Sequence, residues 1–179
     1  SLAFVQELWG ATEYLCDVFR SETTLPVELL PIPLVFPATP PRAAARERLG
    51  FDDRFTFLFS FDFLSISARK NPLGLLDAFP RAFPGGDGVR LIVKTINGDL
   101  FRDEKEEVLD AVARTPGAEL WDRYLDTGDR LALTAAADCY VSLHRSEGLG
   151  LTIAEAMSAG TPVIATRYSG SLDLTTDDT

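Results

Sequence analysis

Four charged residues in two short stretches offer the chemistry of this sequence: Arg69 and Lys70 in "ISARKNPLGLLDAF" (residues 66–79), and Glu147 and Glu155 in "SLHRSEGLGLTIAEAMSAG" (residues 142–160). In the first stretch Asn71 and Pro72 mark a helix start, because Asn accepts a bond from an orphan amide and Pro lacks the donor that would go unpaired there. A helix N-terminus carries partial positive charge and favours acidic neighbours, so Arg69 and Lys70 stand where they are least welcome unless an anion joins them. The second stretch repeats the arrangement. Arg145 and the single histidine, His144, precede a glycine-rich turn that opens another helix. Two helix N-termini flanked by cations offer free amides to phosphate, and carboxylates so close to a phosphate site suit sugar hydroxyls.

The dinucleotide fingerprint G-x-G-x-x-G fails, since Ile153 follows Gly148 and Gly150 where the third glycine should be, and no G-K-[ST] occurs for a P-loop. Each residue also has a structural alternative. Lys70 could be solvated, the glycines an ordinary turn, and His144 a half-buried residue at the end of a sheet. Thr152-x-x-Glu155 satisfies a capping box, in which the glutamate returns to the cap amide.

Apolar β-rich runs position these stretches: Phe55–Phe61, Val89–Thr95, Ala118–Trp121, Cys139–Leu143 and Val163–Thr166 are expected strands. Helices are expected at Pro72–Phe83, Glu104–Arg114, Gly128–Ala137 and Leu151–Ala159, with "RAAARERLG" a further helix ending at Gly50. Continuous apolar strands alternating with helices predict an α/β fold, a doubly wound parallel sheet covered on both faces. Ligands of such sheets bind at the carboxyl ends of the strands where strand order reverses, here between the first and fourth strands, in loops 62–71 and 144–150. Residues 2–20 carry apolar positions at helical spacing. Six prolines between Leu25 and Pro41 then exclude helix and favour extended backbone. The acidic run 102–110 reads as a solvated helix face.

With 17 basic and 27 acidic residues the 179-residue chain has a formal net charge of -10, which argues against nucleic acid as partner. Cys16 and Cys139 are too few and too far apart for a disulfide framework or a metal site, and Cys139 sits in an apolar run suited to a buried thiol. No apolar stretch approaches bilayer-spanning length, and the start lacks the marks of a signal peptide, so the expected location is the cytoplasm. Both ends read as cuts within a larger protein.

"EGLGLTIAE" resembles the E-x7-E motif of retaining glycosyltransferases of the GT-B fold, glycosyltransferase group 1 (family 4). Together with "RKNP", the stretch "DCYVSLHRSEGLGLTIAEAMSAGTPVIATRYSGSLDL" is similar to one of its bacterial subgroups. The resemblance implies that residues 1–30 are the helical end of an N-terminal acceptor domain, 31–41 a Pro-rich linker, and 42–179 a Rossmann-like donor-binding domain, incomplete at its C-terminus. It implies a retaining hexosyltransferase of polysaccharide biosynthesis, moving a hexose from GDP-mannose or a UDP-sugar to a saccharide or lipid-linked acceptor. The family needs no metal or cofactor beyond this nucleotide-sugar donor. The full-length protein would touch a membrane peripherally if its acceptor is lipid-linked, and the fragment alone would be inactive. A GT-B epimerase or phosphorylase, and a non-catalytic nucleotide-sugar-binding domain, are the alternatives.

By the same resemblance Lys70 contacts the donor diphosphate and Glu147 binds the transferred sugar near its anomeric centre. The commoner pattern has an arginine five residues before the lysine; here Ser65 stands there, so either Arg69 substitutes or Ser65 donates a hydrogen bond. Gly148, Leu149, Gly150 and Leu151 face phosphate or hexose, Glu155 binds the ribose, and His144 and Ser169 are further donor contacts, the latter beside Tyr168 and Gly170. Asp122, in "ELWDRY", is either a reader of guanine or an exposed acid.

Overall fold

The phenylalanines of "FTFLFSFDF" recur at every second position, which puts them on one face of an extended strand. That strand is central to the fold. The computed structural model describes residues 4–176. Strand β3 (Phe55–Asp62) pairs in parallel with β4 (Val89–Ile96) on one side and with β6 (Cys139–Ser142) on the other; β5 (Ala118–Asp122) and β7 (Val163–Ala165) complete a sheet of order β5-β4-β3-β6-β7. Strand order therefore reverses between β3 and β6, the first and fourth strands of this sheet, as expected.

The two faces bury different side chains. Phe59, Phe61 and Phe63 pack with Leu75, Leu76 and Phe79 of helix α4 (Pro72–Ala82) and Val108 of α5 (Arg102–Ala113). Leu58, Ile92 and Tyr140 pack with Leu133 of α6 (Thr127–Ala136) and with Ile153 and Ala156 of α7 (Leu151–Ser158). Each large side chain so buried contributes about 1.5–3 kcal/mol. Helix α2 (Arg42–Leu49), closed by Gly50 at φ 65°, lies on α6 through the small residues Ala45, Ala132, Ala135 and Ala136. Small side chains let two helix backbones approach closely. Pro80 sits inside α4 and cannot donate to the Leu76 carbonyl, which takes the Thr115 hydroxyl instead at 3.2 Å.

Residues 4–30 differ from expectation. Within 4–30 the apolar spacing does not make one helix: β1 (Leu8–Gly10) and β2 (Val27–Leu29) form a parallel pair joined by α1 (Glu13–Glu22). Gly10 admits this break, because a Cβ there would collide with Cys16. Residues 31–41 carry no regular element, in accord with their prolines. Among the described residues no helix is long and apolar enough to cross a membrane.

Candidate functional site

A cavity of about 590 Å³ opens at the carboxyl ends of β3 and β4, beside α6 and α7. This is the size of a small-ligand pocket, roughly 300–1,000 Å³. It is lined by Lys70, Ser65, Glu147, Gly148, Leu149, Gly150, Leu151 and Glu155 among the residues singled out from the sequence.

The loop after β3 is compact. A 3-10 turn at Phe63–Ser65, begun by Asp62 accepting the Leu64 amide, leads to Ile66 at φ 63°, a costly conformation for a β-branched residue. A one-turn helix α3 (Ser67–Lys70) follows and ends at Asn71, also at φ 60°. The expectation that Asn71 caps α4 is not met: its side chain caps no amide, and its Nδ2 donates to the Leu143 carbonyl at 2.9 Å. Asn71 therefore ties the loop after β3 to the loop after β6. Nor do two helix N-termini share one cavity. Asn71, Pro72 and Leu73, at the start of α4, line a separate hollow of about 220 Å³ with Arg145 and Glu104. Only the start of α7, at Gly150–Thr152, faces the main cavity.

The cations meet a carboxylate instead of an empty anion site. Glu147, 7% exposed, accepts from Lys70 Nζ at 2.5 Å and from Arg69 Nη1 at 2.9 Å. Arg145 lies elsewhere, with Asn71 Oδ1 at 3.4 Å from its guanidinium. Burial by itself would raise the Glu147 pKa, but the hydrogen bonds and charges of Lys70 and Arg69 outweigh it and hold the carboxyl below its ordinary range. Arg69 does not line the cavity. Its Nη1 also donates to the Ser146 carbonyl at 2.8 Å and its Nε to the Ser65 carbonyl at 3.2 Å, so it clamps the two loops together.

The glycine turn is held from behind. Ser169, at φ 69° and 1% exposed, accepts the Glu147 amide on its hydroxyl at 2.7 Å, and the Gly170 amide donates to the Glu147 carbonyl at 2.9 Å. A Cβ on Gly170 would overlap the Gly148 carbonyl. His144 is 1% exposed: its Nδ1 meets Ser142 Oγ at 3.0 Å, and its Nε2 meets the Tyr168 carbonyl and Ser171 Oγ at 3.2 Å each. Ser169 and His144 thus lie beneath the cavity rather than in it, and His144, read from the sequence as either a donor contact or a half-buried residue, is wholly buried. From the other side Thr12, which caps α1 by accepting the Leu15 amide, donates to the Gly148 carbonyl at 2.8 Å. Tyr14 meets Ser146 Oγ at 3.2 Å and the Tyr168 ring edge-on. Residues 4–30 therefore help to shape the cavity, to which Ala11 and Leu15 also contribute.

Glu155 forms no capping box. Gly150 is the N-cap of α7, with φ 86° and no side-chain capping bond, and the Glu155 carboxylate pairs with Arg130 of α6 at the cavity wall. Asp122 is neither exposed nor open to a ligand. Its side chain is 10% exposed and accepts from Thr95 Oγ1 at 3.0 Å and from Lys105 at 2.7 Å. Lys94, Arg130 and Tyr124 are among the lining residues that escaped the sequence argument. Lys94 was visible as a cation near the carboxyl end of the apolar run "VRLIVKTI". Arg130 carried no such mark, since a basic residue on a helix is usually solvated. Among the described residues no group of three or more His, Cys, Asp or Glu could hold a metal ion.

A family model described as "Glycosyl transferases group 1" matches residues 44–179. The chain is 33% identical over 125 residues to alpha-monoglucosyldiacylglycerol synthase of Streptococcus pneumoniae, an alignment covering 67% of this chain and 26% of that protein. Among solved structures it is similar to Anabaena HepE in complex with UDP and glucose, with TM-score 0.79 and 20% identity over 97% of this chain and 47% of that one. It is also similar to an E. coli trehalose-6-phosphate protein bound with UDP-2-fluoro glucose, with TM-score 0.72 and 13% identity over 94% of this chain and 47% of that one. The chain thus spans about a quarter of the curated relative, at 26%, and about half of the solved chains, at 47%. The parallel five-stranded sheet is the Rossmann-like sheet of a GT-B fold, and with the family model covering most of its length the chain belongs to the glycosyl transferases of group 1.

Proposed function

We propose that this chain is the donor-binding half of a retaining hexosyltransferase, which moves a hexose from a nucleoside-diphosphate sugar to a saccharide or lipid-linked acceptor. One observation carries the proposal: Lys70, Glu147, the Gly148–Leu151 backbone and Glu155 all line a single cavity at the strand-order reversal. Departure of the diphosphate puts negative charge on the leaving oxygen. Lys70 and the amides at the start of α7 would stabilise charge that grows in the transition state, which lowers the barrier rather than only tightening binding. Glu147 would hold sugar hydroxyls, and Arg69 would keep its carboxylate in place when Lys70 turns to phosphate. The donor is the one small molecule this mechanism needs.

A UDP-hexose is the first donor to try and GDP-mannose the second, because the solved relative from Anabaena is a complex with UDP and glucose. The name of the Streptococcus pneumoniae relative supports a glycolipid acceptor, reached by peripheral contact of the full-length protein at a cytoplasmic membrane face. Transfer would require acceptor-side residues outside this chain. Calorimetric titration with UDP, GDP, UMP and GMP tests the proposal: one diphosphate should bind more tightly than its monophosphate. Equal affinity for the two, or no binding to any of the four, would refute it.

A further inference from the structure

The glycine turn is gripped from outside the sheet by a residue that the mechanism above does not use. Thr12 is wholly buried, and its hydroxyl serves two partners. Oγ1 accepts the Leu15 amide at 3.2 Å, the capping bond of α1, and its one proton goes to the Gly148 carbonyl at 2.8 Å. Capping needs only an acceptor, and asparagine or aspartate would serve as well. The bond to Gly148 needs the proton, and it joins residues 136 positions apart in the chain.

Holding that carbonyl fixes a second group. In a planar trans peptide the C=O and the following N–H point in opposite directions. The Gly148 carbonyl is caught between the Thr12 hydroxyl and the Gly170 backbone, which approaches so closely that a Cβ on Gly170 would overlap it. The peptide therefore turns the Leu149 N–H away from both contacts, and Leu149 lines the cavity. That amide takes no hydrogen bond among the described residues, whereas a backbone donor at a half-buried position ordinarily finds an acceptor. Gly148 has no Cβ to restrict rotation of the peptide, so its aim depends on what holds the carbonyl. A phosphate oxygen is the acceptor that suits a free N–H beside the start of α7.

Building on the donor-binding reading above, we propose that Thr12 is a positioning residue for the donor, its hydroxyl holding the Gly148–Leu149 peptide so that the Leu149 N–H donates to a phosphate oxygen of the nucleoside diphosphate. The test is titration of the full chain with UDP and GDP, by calorimetry and by NMR of the Leu149 amide, in the wild type, Thr12→Val, Thr12→Ser and Tyr14→Phe. Thr12→Val keeps the shape without the hydroxyl and should bind the preferred diphosphate roughly 3- to 10-fold more weakly. Thr12→Ser returns the hydroxyl and should recover the affinity. Tyr14→Phe removes the Ser146 contact of the same helix and leaves the Gly148 carbonyl alone, so its affinity should change by less than about twofold. Bound diphosphate should move the Leu149 amide proton downfield in the wild type and Thr12→Ser but not in Thr12→Val, a signature that mere docking of α1 would not produce. Glycine is tolerated as an N-cap, so Thr12→Gly replaces Thr12→Val if that variant fails to fold. Unchanged affinity without the hydroxyl, equal losses in Thr12→Val and Tyr14→Phe, or a wild-type Leu149 amide that bound diphosphate does not shift overturns this inference and leaves the donor site standing. A wild type that binds neither diphosphate overturns both.

Discussion

Replacing Lys70 with alanine separates phosphate recognition from the rest of the site. Lys70 Nζ and Glu147 Oε1 lie 2.5 Å apart with side chains only 12% and 9% exposed. Removing one partner of a buried pair costs about 3–5 kcal/mol when the other charge is stranded. Arg69 at 2.9 Å stays with Glu147, so the cost falls to about 2 kcal/mol, near that of one hydrogen bond to a charged group. For a chain of this length that corresponds to a fall in Tm of about 4–8 °C. Binding should respond more selectively. A lost charge-assisted contact weakens UDP by about 10- to 150-fold, and a Glu147 with one fewer counter-charge adds repulsion toward the phosphates. Uridine, which lacks the phosphates, should change by no more than about twofold. Calorimetry with UDP, UMP and uridine, alongside thermal denaturation, reads both effects. The double variant Lys70→Ala/Glu147→Gln should recover stability without recovering UDP affinity. Equal loss for UDP and uridine would refute the role of Lys70 on phosphate, and an unchanged Tm would refute the ion pair.

Three further outcomes follow from the same geometry. Gly170→Ala forces a Cβ into the Gly148 carbonyl and should cost about 1–3 kcal/mol and weaken diphosphate binding, while Gly148→Ala, whose Cβ would meet only Leu15 at 3.7 Å, should leave the fold intact; urea denaturation of both would expose an error if the two cost the same. The Glu147 carboxyl is held below its ordinary value of 4.5, so its contribution to stability is present above that pH and is lost as the pH falls through the lower folded value. The stability gap between the wild type and Glu147→Gln should accordingly be full at pH 7 and close in acid, and a gap independent of pH would count against the pairing.

Local pattern was enough for the scaffold. Alternation of phenylalanine along β3, apolar runs in β4 and β6, and helical stretches between them give the parallel sheet, because side-chain period and strand length are properties of consecutive residues; the switch point followed from the usual strand order of such sheets. The two charged stretches were legible for the same reason. Their partners were not, since a salt bridge is set by which strand ends become neighbours: Lys70 and Glu147, 77 residues apart in the chain, meet because β3 pairs with β6. Thr12, 136 residues from Gly148, reaches its carbonyl only through the folded β1-α1 unit. Burial turned His144 and Ser169 from expected ligand contacts into supports beneath the loop. The same tertiary arrangement drew Glu155 to Arg130 instead of to its own helix cap. Sequence by itself determined the sheet, the family motif and the kinds of charge near the ligand. Tertiary structure alone decided which of those charges face the cavity, because only strand order sets the distance between loops far apart along the chain.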